Sequence, residues 1–230
     1  HGEIQSAIET VARLSGAELI DFHEPLYPYP NLLPDAIHPN PEGAGILAKT
    51  VYSGITGNYG GLQMSQLYTD YMVLQRNVPL DIHGTANAGE KIVVSIANQT
   101  ATATADNRGK WCVVLKPMEA ADDLTLTVKA GRQTNVYRHV AVGEVWLCSG
   151  QSNMAFMLCQ AESYKRDINS ANDPQLRLYD MKGRWETYDV AWPASCLDSL
   201  NHLQYFRPTT WQPTTPDNAK WFSAIGYYYG

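Results

Sequence analysis

The chain has 230 residues, 44% of them hydrophobic and 17% charged, enough for one large globular domain or two smaller ones. Lys plus Arg number 17 against 23 Asp plus Glu; the net charge of -6 and the lack of any basic run argue against a nucleic-acid surface. No apolar run approaches the roughly 18 residues of a membrane span, and the chain opens at His1 without Met or signal peptide, so it reads as mature, trimmed or cut from something longer.

Glu3 to Leu14 put Ile4, Ala7, Ile8, Val11 and Leu14 on one face at helical spacing, and Ser15-Gly16 ends the helix. Ala17 to Phe22 reads as a short buried strand. Pro25 to Pro34, with Tyr27, Tyr29 and Asn31, reads as a loop over a site or a surface excursion. A helix comes next, with Asn40 as N-cap, Pro41 first, Glu42 in the first turn and Gly54 as the stop. Just before it stand Asp35 and His38. That spacing lets the carboxylate reach one imidazole nitrogen and fix the tautomer, while the other nitrogen faces a nucleophile. A capping Asp and a loop His would give the same letters. Asp35, His38, Pro39, Asn40 and Gly43 before a helix resemble the final block of the SGNH hydrolases, which carries their catalytic Asp and His.

Gly54 to Gly61 is a linker by composition. Leu62 to Val140 changes character: Leu74, Ile82, the alternating Ile92, Val94 and Ile96, Thr100 to Thr104, and the alternating Leu124, Leu126 and Val128 are strand-like. Turns fall at 88–90, 106–109 and 130–132. These strands predict a small β-sandwich, either a sugar-binding module or a spacer. Asp70-Tyr71-Met72-Val73-Leu74-Gln75-Arg76 and then Val78-Pro79 resemble the opening of the sialate O-acetylesterases, a branch of the SGNH (GDSL-like) hydrolases.

Val145 to Cys148 is a short apolar run that predicts a buried strand, with Cys148 a small core residue. It breaks into Ser149-Gly150-Gln151-Ser152-Asn153, where a helix is expected to start and to run through Met154, Phe156, Met157 and Leu158. Such a turn exposes the Ser152 hydroxyl and aims backbone N–H groups at whatever the hydroxyl attacks. The pattern G-x-S-x-G is not met, because Met154 stands at the second Gly, and a plain polar turn is the alternative reading. The thirteen positions from Val142 to Met154 resemble the nucleophile block of the sialate O-acetylesterases. The resemblance implies that Ser152 is the nucleophile, that its N–H is an oxyanion donor, and that Gln151 and Asn153 support it.

Leu176, Leu178 and Tyr179 suggest a strand, and 184–215 an irregular loop. Asp217 is expected to cap a final helix whose stripe is Trp221, Phe222, Ile225, Tyr228 and Tyr229. Trp and Tyr crowd this last third; aromatic faces serve carbohydrate clefts, but core packing accounts for most such residues with no extra assumption. Cys112, Cys148, Cys159 and Cys196 match no metal-ligand spacing, one disulfide is possible, and neither metal nor other cofactor is expected.

The expected fold is therefore α/β and all-β multidomain, with partial SGNH (flavodoxin-like) α/β segments flanking a small β-sandwich. Residues 1–53 would be the tail of one esterase domain, 54–61 a linker, 62–140 the sandwich and 141–230 the start of a second esterase domain. In one SGNH domain the Ser block comes first and the Asp-x-x-His block last; here the order is reversed. Two partly present domains explain this with less rearrangement than a single domain in which His38 serves Ser152. The resemblance implies a carbohydrate O-acetylesterase acting on O-acetylated sialic acid or a related acetylated glycan, exported to a periplasm or beyond. Little activity is expected of these 230 residues alone unless His38 reaches Ser152 or a further portion completes the site. The rival readings are a non-catalytic carbohydrate-binding module and a scaffold. Oligomeric state stays open.

Overall fold

The computed structural model describes residues 2–183, 196 and 205–230, in two units: His1–Asn58 with Arg184–Tyr205, and Tyr59–Gly183 with Phe206–Gly230. Most of the loop expected over 184–215 lies outside the described residues.

In the first unit, helix α1 (Gly2–Ser15) forms where its apolar spacing predicts, and Gly16 ends it at φ 69°. Its Ile4, Ile8, Val11 and Leu14 are nevertheless exposed. Ala17 to Phe22 is not a strand. A strand needs a neighbour for its N–H and C=O groups, and no described residue of this unit offers one. Asp21 instead accepts hydrogen bonds from the N–H groups of His23 (2.7 Å) and Glu24 (3.3 Å) and starts helix α2 (His23–Leu26). The Pro-rich stretch is partly ordered: a 3-10 turn at Pro30–Leu32 buries Leu32.

Helix α3 (Pro41–Thr56) starts as expected, with Asn40 Oδ1 accepting from the Gly43 N–H at 2.9 Å. Gly54 is not its stop. The helix runs on to Gly57, whose φ of 69° is the left-handed cap. Gly54 is small for packing: a Cβ there would lie 3.0 Å from Ile20 Cγ1.

The second unit carries a two-stranded pair and two larger sheets. One is antiparallel, in the order β1 (Gln63–Met64), β3 (Leu80–Thr85), β6 (Lys110–Leu115). The other runs β2 (Val73–Gln75), β8 (Gln133–Gly143), β7 (Ala121–Ala130), β4 (Lys91–Ile96), β5 (Gln99–Thr104), antiparallel except for the β2–β8 pair. Period-two alternation turns Ile92, Val94 and Ile96 inward from β4, and Trp111, Val113 and Leu115 from β6. They join Ile82, Leu126, Val128 and Val140 in one core shared by both sheets. Each such side chain contributes about 1.5–3 kcal/mol by leaving water. The turn between β5 and β6 forms because Asp106 accepts from the Arg108 (2.9 Å) and Lys110 (2.8 Å) N–H groups, with Gly109 at φ 73°.

Past β8, regular structure is short: α4 (Ser152–Ala155), α5 (Tyr164–Asp167), β9 (Arg177–Leu178) paired with β10 (Gln212–Pro213), α6 (Pro216–Ala219) and α7 (Ala224–Tyr229). Four expectations are corrected. The helix from Ser152 is a single turn, because Phe156 is extended and Leu158–Gln160 re-forms only as a 3-10 turn. The final apolar stripe is broken between α6 and α7, with Ser223 capping the second. Asp217 lies in the first turn of α6, whose cap is Thr215. Val145 to Cys148 pairs with no described strand; Val145, Trp146 and Leu147 are 38%, 58% and 90% exposed, and Cys148 is only half-buried. A run apolar on both faces is a stable strand only between covered neighbours. No disulfide joins Cys112, Cys148, Cys159 and Cys196. Among the described residues no helix is long and apolar enough to cross a membrane.

Candidate active site

Strand β8 delivers the chain to Ser152. Its last residue, Gly143, is parallel-paired with Gln75, and the next is held by a three-part latch. Arg76 Nε donates to Glu144 Oε1 at 2.6 Å, Gln75 Nε2 donates to Glu144 Oε2 at 2.9 Å, and Gln75 Oε1 accepts from the Val145 N–H at 2.9 Å. The Gln75 hydrogen bond, then Arg76, lower the Glu144 pKa. The segment beyond lies along α7: Trp146 meets Tyr229 edge-on at 5.1 Å, and a Cβ on Gly226 would be 3.5 Å from Cys148 Cβ.

Ser152 is the first residue of α4 and is exposed. Its hydroxyl makes no hydrogen bond among the described residues. The N–H groups of Ser152 and Asn153 open the helix, so they have no acceptor within it. Gln151 is the N-cap residue; its side chain and that of Asn153 are exposed and contribute no cap. The chain beyond Ser152 is stitched to 220–224: Leu158 N–H to Phe222 O (2.9 Å), Cys159 N–H to Lys220 O (3.0 Å), Ala224 N–H to Phe156 O (2.8 Å), and Ser223 Oγ to Met154 Sδ (3.1 Å). Beneath these bonds Leu158, Ala171, Ala219 and Ala224 form a small core. Ser163 Oγ lies 2.5 Å from Tyr228 OH, which donates to Asp167 at 2.6 Å and ties α5 to α7.

In the first unit Asp35 and His38 are brought together. Asp35 Oδ1 accepts from the backbone N–H groups of Ile37 (3.0 Å) and His38 (2.7 Å), while Oδ2 lies 2.7 Å from His38 Nδ1. The His38 backbone N–H first, then its ring and the Ile37 N–H, bring the Asp35 pKa down to about 2. An ionised carboxylate only accepts, so Nδ1 carries the proton and Nε2 of a neutral ring is left as the acceptor. The Gly of this motif has a physical reason: a Cβ on Gly43 would sit 3.2 Å from Leu32 O and 3.0 Å from Pro39 Cβ, so only a bare Cα lets α3 seat against the loop holding the pair. Ser152 belongs to the second unit, Asp35 and His38 to the first.

No family model matches the chain. It is 23% identical over 199 residues to the sialate O-acetylesterase of Rattus norvegicus, covering 75% of this chain and 36% of the relative. It is 26% identical over 173 residues to that of Mus musculus, covering 66% and 32%. A crystal structure of a carbohydrate acetylesterase from Xanthomonas citri superposes with a TM-score of 0.61 at 32% identity, over 73% of this chain and 36% of that one.

The chain is similar to proteins of the sialate O-acetylesterase-like family. It spans about a third of the length of each of these relatives. Relatives so named are carboxylic ester hydrolases.

Sequence reasoning passes over two features that hold the segments on either side of Ser152. The Gln75–Arg76–Glu144 latch joins the two blocks that carry the resemblance, and the run Gln75-Arg76 inside the first block was the available signal. Arg177, on β9, has a side chain only 4% exposed. Its guanidinium donates to the carbonyls of Tyr71 (3.2 Å) and His139 and to the Asp122 carboxylate, and lies 5.8 Å from the Tyr71 ring centroid. It pins the segment after Ser152 to the β-sheets. Nothing local in the sequence marks an arginine for that task.

Proposed function

We propose that the chain is part of a carbohydrate O-acetylesterase with Ser152 as nucleophile. The observation that carries this reading is the exposed, uncommitted Ser152 hydroxyl beside the opening N–H groups of α4. Ser152 Oγ attacks the acetyl carbonyl as a histidine takes its proton. The oxyanion is held by N–H donors that include Ser152's own, the sugar hydroxyl leaves with a proton from that histidine, and water then releases acetate from the acetyl-serine. No step calls for a metal.

The Asp35–His38 pair is already oriented for the proton-relay role, with Nε2 outward. Its place ahead of the Ser152 block supports its assignment to a preceding SGNH esterase set rather than to Ser152. The same reading divides the protein into partial SGNH α/β segments around a β-sandwich and gives it an exported, bacterial setting. The substrate is acetylated sialic acid or another acetylated glycan, as the names of the relatives suggest.

Acetate release from O-acetylated sialic acid and from acetylated xylan is the direct test, for the 230 residues and for any longer parent product. Release that disappears in Ser152→Ala supports the proposal. Release that survives it, or sugar binding with no turnover in any form of the protein, contradicts it.

A further inference from the structure

The aromatic residues of the last third leave a cleft that Ser152 does not line. Its volume is about 660 Å3, within the range of about 300–1,000 Å3 typical of small-molecule sites. Leu178 and Pro213, from the β9–β10 pair, form apolar floor, and Trp221, 48% exposed, forms a wall.

The frame is fixed from behind. Asn218 Nδ2 donates to Pro213 O (2.7 Å) and Gln212 Oε1 (3.4 Å), and its Oδ1 accepts from the Thr215 N–H (2.8 Å). Buried Thr214 donates to Leu176 O at 2.8 Å. Arg177 ties β9 to Asp122 of β7 and the His139 carbonyl of β8, and Trp211, just before β10, donates its indole N–H to Leu67 O in the β1–β2 loop at 3.1 Å. A wall held this way keeps its shape with no ligand present, so binding costs little ordering.

The rim decides the ligand. Among the lining residues Asp180 and Asp217 balance Lys182 and Arg207, so the lining itself carries no net charge, and the Lys220 ammonium covers one face of the Trp221 ring at 4.6 Å from its centroid, leaving the other to a ligand. Lys182 is paired with Asp180 at 3.1 Å. Arg207 and Asp217 make no ion pair among the described residues, and Gln212 keeps its amide donors. One aromatic face, one donor fork and one carboxylate acceptor match a ring that is apolar on its C–H face and hydroxylated at its edge.

We infer that this cleft binds an uncharged pyranose ring of a glycan chain. The inference rests on the carbohydrate-esterase reading and gives that enzyme a hold on sugar away from its nucleophile.

The test is binding rather than turnover, using Ser152→Ala protein titrated with xylotetraose and, separately, with N-acetylneuraminic acid. Indole fluorescence and amide NMR shifts report occupancy. Saturable binding of xylotetraose is expected, weakened about tenfold in Trp221→Ala and several-fold in Arg207→Ala, each at unchanged melting temperature. Arg207 is exposed, so its variant remains informative if Trp221→Ala folds poorly. No saturable binding of the neutral sugar, binding indifferent to both substitutions, or binding of N-acetylneuraminic acid alone would each overturn the inference. Because Ser152→Ala cannot turn over, loss of the esterase reading and loss of the cleft show up in different experiments.

Discussion

Arg76 and Glu144, 68 residues apart, meet at 2.6 Å and close a latch over the strand end that leads to Ser152. Both side chains are roughly half exposed, so the ion pair is screened, and the neutral partner Gln75 matters more because it also holds the Val145 backbone. Gln75→Ala should therefore raise the hydrogen-exchange rate of the Val145 amide several-fold, and more than Arg76→Ala does. Equal effects would mean that charge, not the amide fork, holds the segment. The Glu144 pKa is lowered, so its contribution is present above the ordinary Glu range and lost as pH falls through the lowered value.

Arg177 presents a buried guanidinium with two backbone carbonyls and Asp122 as acceptors. Arg177→Ala leaves those acceptors unpaired and should cost about 2–3 kcal/mol in urea unfolding. Arg177→Lys should rescue little, since an ammonium cannot reproduce the planar fork. Full stability in the Lys variant would show that position 177 needs only charge.

The shared core is tested at Leu126, which is fully buried between the sheets. Leu126→Ala should lower unfolding free energy by about 2–5 kcal/mol. A loss well under 1 kcal/mol would mean that the two sheets do not share that core in solution.

Asp35 should titrate at about 2 in carboxyl-carbon NMR. The sign is that of a depressed acid: its stabilising bonds are fully present above the unfolded-state value near 4 and disappear as pH falls through about 2. The backbone N–H of His38 is the largest cause and survives His38→Ala, so that variant should raise the midpoint only in part. A midpoint already near 4 in the unaltered protein would remove the pair.

Much of this was legible in the sequence for definite reasons. β4 has one dry face, and period-two alternation writes that directly into Ile92-Val94-Ile96. The Asp35–His38 contact is local, three residues long, and spacing alone anticipates it. Val145 to Cys148 misleads because a strand is a property of neighbours, and apolar letters cannot say whether neighbours are there. Gly54 misleads for a related reason: glycine marks a helix stop when its φ is needed, as at Gly57, and close packing when its missing Cβ is needed. Arg177 and the cleft by Trp221 depend on contacts across 38 to 106 residues, for which no local pattern exists.

The most direct measurement is acetate release from O-acetylated sialic acid by the 230 residues and by any longer parent product, comparing the unaltered chain with Ser152→Ala and His38→Ala. Release should fall on the order of 10⁴-fold in Ser152→Ala, while the Ser152-dependent release persists in His38→Ala. Undiminished release without the Ser152 hydroxyl would contradict the account at its root. An equal collapse in both variants would show instead that His38 serves Ser152 within one catalytic set.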